Sequence, residues 1–210
     1  MNYTEIKDTA FSYADRTDVG VTSKIDNFLR IVEARMNRYL STHRMSVSFT
    51  TPIIANQFLY VLPPDFLCIN KAKIRSVLNP TSGTLLNVIN KDIQVDYQSN
   101  GVKSFTYAIK DNAIELTYAP LPSNPLDTFI IDMSYVQMVA PLTATVANNW
   151  MSDLNPDCYI FGLLTEINAF VKDAEAAKLW STRFIDSLEE IKIQDNEYAF
   201  GGSAMQTLIG

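Results

Sequence analysis

The stretch from Ser23 to Thr50, SKIDNFLRIVEARMNRYLSTHRMSVSFT, decides the fold class because its hydrophobic period changes partway along. Ile25, Phe28, Leu29, Val32, Met36, Tyr39 and Leu40 recur at steps of 3, 1, 3, 4, 3 and 1, which is one stripe of an α-helix. Ser23, with Asp26 three residues on, reads as a capped start for that helix. Its other face carries Lys24, Arg30, Arg35 and Arg38, either a solvated surface or a contact for an acidic partner. After His43 the period becomes two. Met45, Val47 and Phe49 alternate with Ser46, Ser48 and Thr50, the pattern of a half-buried strand.

Upstream, Tyr3, Ile6, Ala10 and Tyr13 predict a short helix, with Thr4 as its cap and Asp15 to Gly20 as a polar break. Downstream, Phe58, Tyr60 and Leu62 alternate until Pro63-Pro64 stops the strand. Ala72 and Ile74 alternate with Lys71, Lys73 and Arg75, a strand with one basic face, and Asn79 to Gly83 reads as a turn or loop. Residues 90–97 fit either a short helix or a strand. Phe105, Tyr107 and Ile109 run into Asp111-Asn112 and then Ile114, Leu116 and Tyr118, which predicts a two-residue hairpin because both turn residues tolerate positive φ. Pro120, Pro122 and Pro125 stiffen a loop before a last strand through Phe129, Ile131, Met133 and Tyr135.

Helical spacing returns at Asn155, a cap followed by Pro156 and Asp157. Tyr159, Ile160, Leu163, Leu164, Ile167, Phe170 and Val171 form its stripe, and Ala177, Trp180, Phe184, Leu188 and Ile191 form another. The short boundary at Lys172-Asp173 allows antiparallel neighbours or one kinked element. The expected fold is therefore α+β. Residues 1–44 and 141–198 supply a helical bundle, and residues 45–140 supply an inserted antiparallel β-rich module. Residues 199–210 form an uncharged tail, flexible or ordered by a partner, with Phe200, Met205, Leu208 and Ile209 as docking candidates.

Composition narrows the function. The 210 residues include 17 basic and 23 acidic ones, a net charge of -6, the wrong sign for a general duplex-DNA binder. With 47% hydrophobic residues the chain has material for a core, so wholesale disorder is excluded. One histidine and two cysteines, His43, Cys68 and Cys158, fall short of a four-ligand zinc site, and no metal or cofactor is expected. The cysteines read as two buried free thiols, and His43 as a cation at a helix C-terminus. No phosphate loop, nucleophile elbow, zincin motif or EF-hand is present, so no catalytic residue is assigned. The carboxylates Asp173/Glu175 and Glu189/Glu190 read as solvated faces. Met133 to Ser152 is free of charge for 20 residues, but Pro141 and scattered polar groups make it a strand and loop, not a membrane span. The N-terminus lacks the basic and apolar regions of a secretory signal, and none is expected.

Four segments together resemble the head-to-tail adaptor (connector or head-completion) proteins of tailed bacteriophages, the short-tailed kind above all. They are Tyr3-Thr4-Glu5-Ile6-Lys7 with Ile25 to Leu29 and Glu33 to Arg38; Leu62-Pro63-Pro64-Asp65-Phe66-Leu67; Asn149-Trp150 with Pro156 to Glu166; and Ala177 through Trp180 to Ile185. The resemblance implies a structural virion protein at the head–tail junction, made in the host cytoplasm and carrying no active site. It implies a dodecameric ring that contacts the portal and the tail or nozzle proteins and leaves a channel through which DNA passes unbound. Arg30, Arg35, Arg38, Lys71, Lys73 and Arg75 are the candidate interface charges. The alternative reading is a nucleic-acid-binding or packaging accessory protein that uses the same cations.

Overall fold

The computed structural model describes residues 1–16, 18–79, 81, 83–88, 106–116 and 127–200. The ambiguous segment 90–97, the loop of Pro120, Pro122 and Pro125, and Met205, Leu208 and Ile209 lie outside the described residues. The chain is α+β and divides into two compact units, one of residues 1–44 and 139–210, the other of residues 45–138.

The first unit contains helices α1 (Tyr3–Ala14), α2 (Val19–Thr22), α3 (Ile25–Tyr39), α4 (Trp150–Leu154), α5 (Pro156–Phe170) and α6 (Ala174–Phe200). α1 and α3 pack on α5, and α5 packs on α6. The last two are antiparallel neighbours. The Cys158 thiol donates to Ser187 Oγ at one end of the pair, and Phe161 stacks on Trp180. The break between them is Lys172, at φ 65. Asp173 then caps α6 by accepting the Ala176 N–H at 3.0 Å. Most of the stripe the spacing predicts is buried, with Ile25, Phe28, Leu29, Val32 and Met36 on α3, Tyr159, Leu163, Leu164 and Ile167 on α5, and Phe184 and Leu188 on α6, but Phe170, at the end of the α5 stripe, is 48% exposed.

The helix starts differ from the sequence expectation. Asn2, not Thr4, caps α1, in a reciprocal capping box with Glu5. Ser23 closes α2, and α3 begins after Lys24 with no side-chain cap. Asn155 stands before α5 but its side chain makes no capping bond. The segment expected to be a loop before it holds α4, whose Asn149–Ser152 capping box supplies the stop-and-start signal. His43 is not in the last turn of α3. It opens a 3₁₀ turn, His43–Met45, three residues past the helix C-cap Leu40.

Gly162 marks the crossing of α3 over α5. A Cβ there would stand 2.5 Å from Val32 Cγ1 and 3.3 Å from Phe184 Cε2. Val32 is fully buried and β-branched, so it has no rotamer into which to retreat. Gly162→Ala gains about 1 kcal/mol of helix propensity and loses ~1–3 kcal/mol to overpacking. A net destabilisation is expected in denaturant melts, relieved when Val32→Ala is added to the same chain.

The second unit is built from two sheets. In one, β1 (Ser46–Pro52), β8 (Phe129–Gln137), β3 (Phe66–Ser76) and β4 (Gly83–Leu85) lie in that order, antiparallel throughout. In the other, β2 (Leu59–Val61), β7 (Ala113–Leu116), β6 (Thr106–Lys110) and β5 (Asn87–Val88) follow one another, and only the β5–β6 pair is parallel. Asp111 and Asn112 form the β6–β7 turn at φ 48 and 59, as the hairpin reading requires. Tyr60, Leu62, Ala72, Ile74, Tyr107, Ile114, Leu116, Ile131, Met133 and Tyr135 share the core.

β3 is longer than its alternation suggests. It carries two bulges against β8, at Phe66/Cys68 and Ile69/Lys71. Each adds a residue and flips the phase, so Phe66, Ile69 and Ala72 all pack on the core at odd spacings. The same shift leaves Cys68 exposed, which corrects the reading of two buried thiols; only Cys158 is buried. The corner Pro63-Pro64-Asp65 has a structural role. Phe66 donates its N–H to Pro63 O, Met138 donates to Asp65 O, and the Tyr135 hydroxyl donates to the Asp65 carboxylate at 2.9 Å. Burial, with the carboxylate's help, pushes the Tyr135 hydroxyl up to about 12.

Candidate functional site

The cations singled out in the sequence fall into two kinds. Arg30 and Arg38 are exposed on α3 and form no ion pair among the described residues. Arg35, one position off that face, turns inward. Its guanidinium donates to Glu166 at 2.8 Å and lies 5.0 Å from the centre of the Phe184 ring. It therefore fastens α3 to α5 and α6 and is not a free interface charge. On β3, Lys71 is exposed. Lys73 and Arg75 converge on Asp132 of β8, at 3.3 and 2.8 Å. Partial burial pushes the Asp132 carboxyl up, but the two cations outweigh it and hold the group below the usual carboxylate range. The basic face is thus partly compensated from within the sheet: one carboxylate holds Lys73 and Arg75, and Lys71 stays outside that cluster. Of the tail candidates, Phe200 belongs to α6, which runs to that residue.

One carboxylate of each exposed pair makes a contact within the fold. Asp173 caps α6, and Glu189 accepts the Tyr39 hydroxyl. No cluster of three or more His, Cys, Asp or Glu that could hold a metal occurs among the described residues. Burial pushes the Cys158 thiol up to about 12, the wrong direction for a nucleophile. Among the described residues no helix is long and apolar enough to cross a membrane.

Two features were not legible from spacing. Glu33, on the stripe side of α3, is only 5% exposed. Its carboxylate accepts the Leu142 N–H at 2.7 Å. Burial pushes it up to about 7, against the opposing pull of that N–H, of the Tyr159 hydroxyl and of Arg30. Tyr159 in turn accepts from Asn149 Nδ2 at 2.7 Å, and Asn149 also donates to Ala140 O. This chain of polar groups pins the segment 140–149 to the helices. The second feature is a cleft of about 460 Å³ lined by Thr42, His43, Arg44, Trp150, Asp195 and Tyr198, among others. Asp195 accepts the His43 backbone N–H at 2.7 Å, and the His43 and Tyr198 rings lie 6.2 Å apart. The buried Thr42 hydroxyl has no hydrogen-bond partner among the described residues.

Nothing in this arrangement converges on a reacting atom. What it offers is surface: two exposed arginines on one helix face without an ion pair among the described residues, a sheet whose basic face is partly compensated by Asp132, and a mixed cleft. No protein of curated function matches the chain. The family model described as SU10 adaptor protein matches residues 1–207, nearly the whole sequence. With that match over both units, and in line with the resemblance carried by the segments quoted above, the chain belongs to the SU10 adaptor protein family.

Proposed function

We propose that this phage adaptor assembles into a ring, a dodecamer by the resemblance, that joins the portal of the head to the tail or nozzle proteins and surrounds a channel for the genome. The family match over residues 1–207 is the observation that carries the reading. The charge supports it. A chain of net charge -6 in which Asp132 draws in two of the three β3 cations, Lys73 and Arg75, is poorly suited to hold DNA by counterion release, which would slow passage through a channel. The same pairing weighs against the nucleic-acid-binding alternative. The protein acts as a structural part of the virion, with no catalytic step.

We further propose that the segment after Phe200 docks on the portal through Met205, Leu208 and Ile209. Burial of three such side chains, at ~25 cal/mol per Å² of apolar surface, can exceed the entropy of ordering them when a ring presents many copies. Purified protein mixed with portal-bearing heads should bind and give particles carrying a closed ring by electron microscopy. A chain lacking residues 201–210 should melt like the parent and fail to stay attached. Full attachment of the truncated chain would rule out the docking tail. A full-length chain that ignores portal-bearing heads, or binds duplex DNA with a steep salt dependence, would rule out the adaptor reading.

A further inference from the structure

Resting on that ring reading, we infer that neighbouring subunits meet through two oppositely charged helix faces, the outer face of α3 on one copy and the outer face of α6 on the next. The α3 face is formed by Arg30, Ile31, Ala34 and Arg38, all exposed, with Ile31 at 44%. The α6 face is formed by Leu179, Asp186, Glu190, Ile193 and Glu197, at steps of three to seven along one side of the helix, with Leu179 and Ile193 more than half exposed. None of these charged groups forms an ion pair with another described residue. Of the three cations of α6, Lys178 stands at its N-terminal end, eight residues before Asp186, and the other two are engaged by aromatic rings. Arg183 lies over Trp180 and Lys192 over Tyr39. The α6 stripe is left acidic.

The spacing matches as well as the sign. At 1.5 Å per residue, Arg30 and Arg38 stand about 12 Å apart along α3, and Glu190 and Glu197 about 10 Å apart along α6. Each pair brackets an apolar centre, Ile31 with Ala34 on one side and Ile193 on the other. Two arginines can therefore reach two glutamates while the aliphatic groups close between them. The occupant is a second copy because one chain carries both complementary faces. A two-fold contact through either face alone would set like charges opposite one another. Pairing α3 to α6 uses each face once and repeats head to tail, the contact type that closes a cyclic ring. Exposed ion pairs of this kind weaken as salt rises.

The test is charge reversal. Arg30→Glu with Arg38→Glu, and separately Glu190→Lys with Glu197→Lys, should each melt close to the parent and fail to assemble, in solution by native mass measurement or on portal-bearing heads. An equimolar mixture of the two variants should assemble again, because each then offers the face the other needs. Reversal variants that assemble like the parent, or a mixture of folded variants that stays unassembled, would overturn this interface while leaving the ring reading intact. A parent that forms no ring either in solution or on heads would overturn the ring reading, and this interface with it.

Discussion

Leu163→Ala is expected to cost ~2–5 kcal/mol of folding stability, the range for removing a fully buried leucine. Leu163 has no exposed surface and sits on α5, the helix against which α1, α3 and α6 all pack. A cavity on a helix held on several sides collapses poorly, which puts the cost toward the upper end. Trp180→Ala should cost less. Trp180 is half-buried, and what it loses is chiefly its stacking on Phe161 at 5.7 Å and its edge contact with Tyr13. Urea melts of the two variants check both size and order. Equal midpoints for Leu163→Ala and parent would mean that α5 is not the central helix.

The second large effect is on pH. Glu33 titrates at about 7 in the fold against its ordinary 4.5, because burial disfavours its charge more than Leu142, Tyr159 and Arg30 favour it. Between those values the native chain holds a proton that the unfolded chain has released. Stability therefore falls as pH rises from 4.5 to 7 and levels off above, a loss of about 3 kcal/mol from this one group. Glu33→Gln keeps an acceptor for the Leu142 N–H and removes the titration. Its stability should vary less over that range, and above pH 7 it should match or exceed the parent. Denaturant midpoints at pH 5, 6, 7 and 8 decide it. A parent curve as flat as that of Glu33→Gln would show that Glu33 titrates normally.

The buried carboxylate also shows why reading the arginine face was harder than reading the helix. Periodicity assigns a residue to one side of α3, and it correctly places Arg30 and Arg38 outside. It does not say what lies across from Arg35 and Glu33. Those answers come from Glu166 and Leu142, 131 and 109 positions away. The cleft between residues 42–44, α4 and the end of α6 has the same origin, since no local pattern brings Thr42 to Asp195 and Tyr198.

Much else was decided within the chain's own neighbourhood. The change of period at His43, the Pro63-Pro64 stop and the Asp111-Asn112 turn were determined by the sequence alone. Each depends on backbone preferences that a few adjacent residues set: alternation, a missing N–H, tolerance of positive φ. The family resemblance was legible for a related reason, because ordered local motifs survive without knowledge of packing. Tertiary structure decided the rest. Asn2 won the α1 cap over Thr4 by closing a capping box with Glu5. The two bulges of β3 exist only against β8, so no alternation within residues 66–76 could reveal them. Lys73 and Arg75 ceased to be free cations once Asp132 was set opposite Lys73 in the ladder. Charge compensation and burial are properties of pairs of residues distant in sequence, and only the fold brings such pairs together.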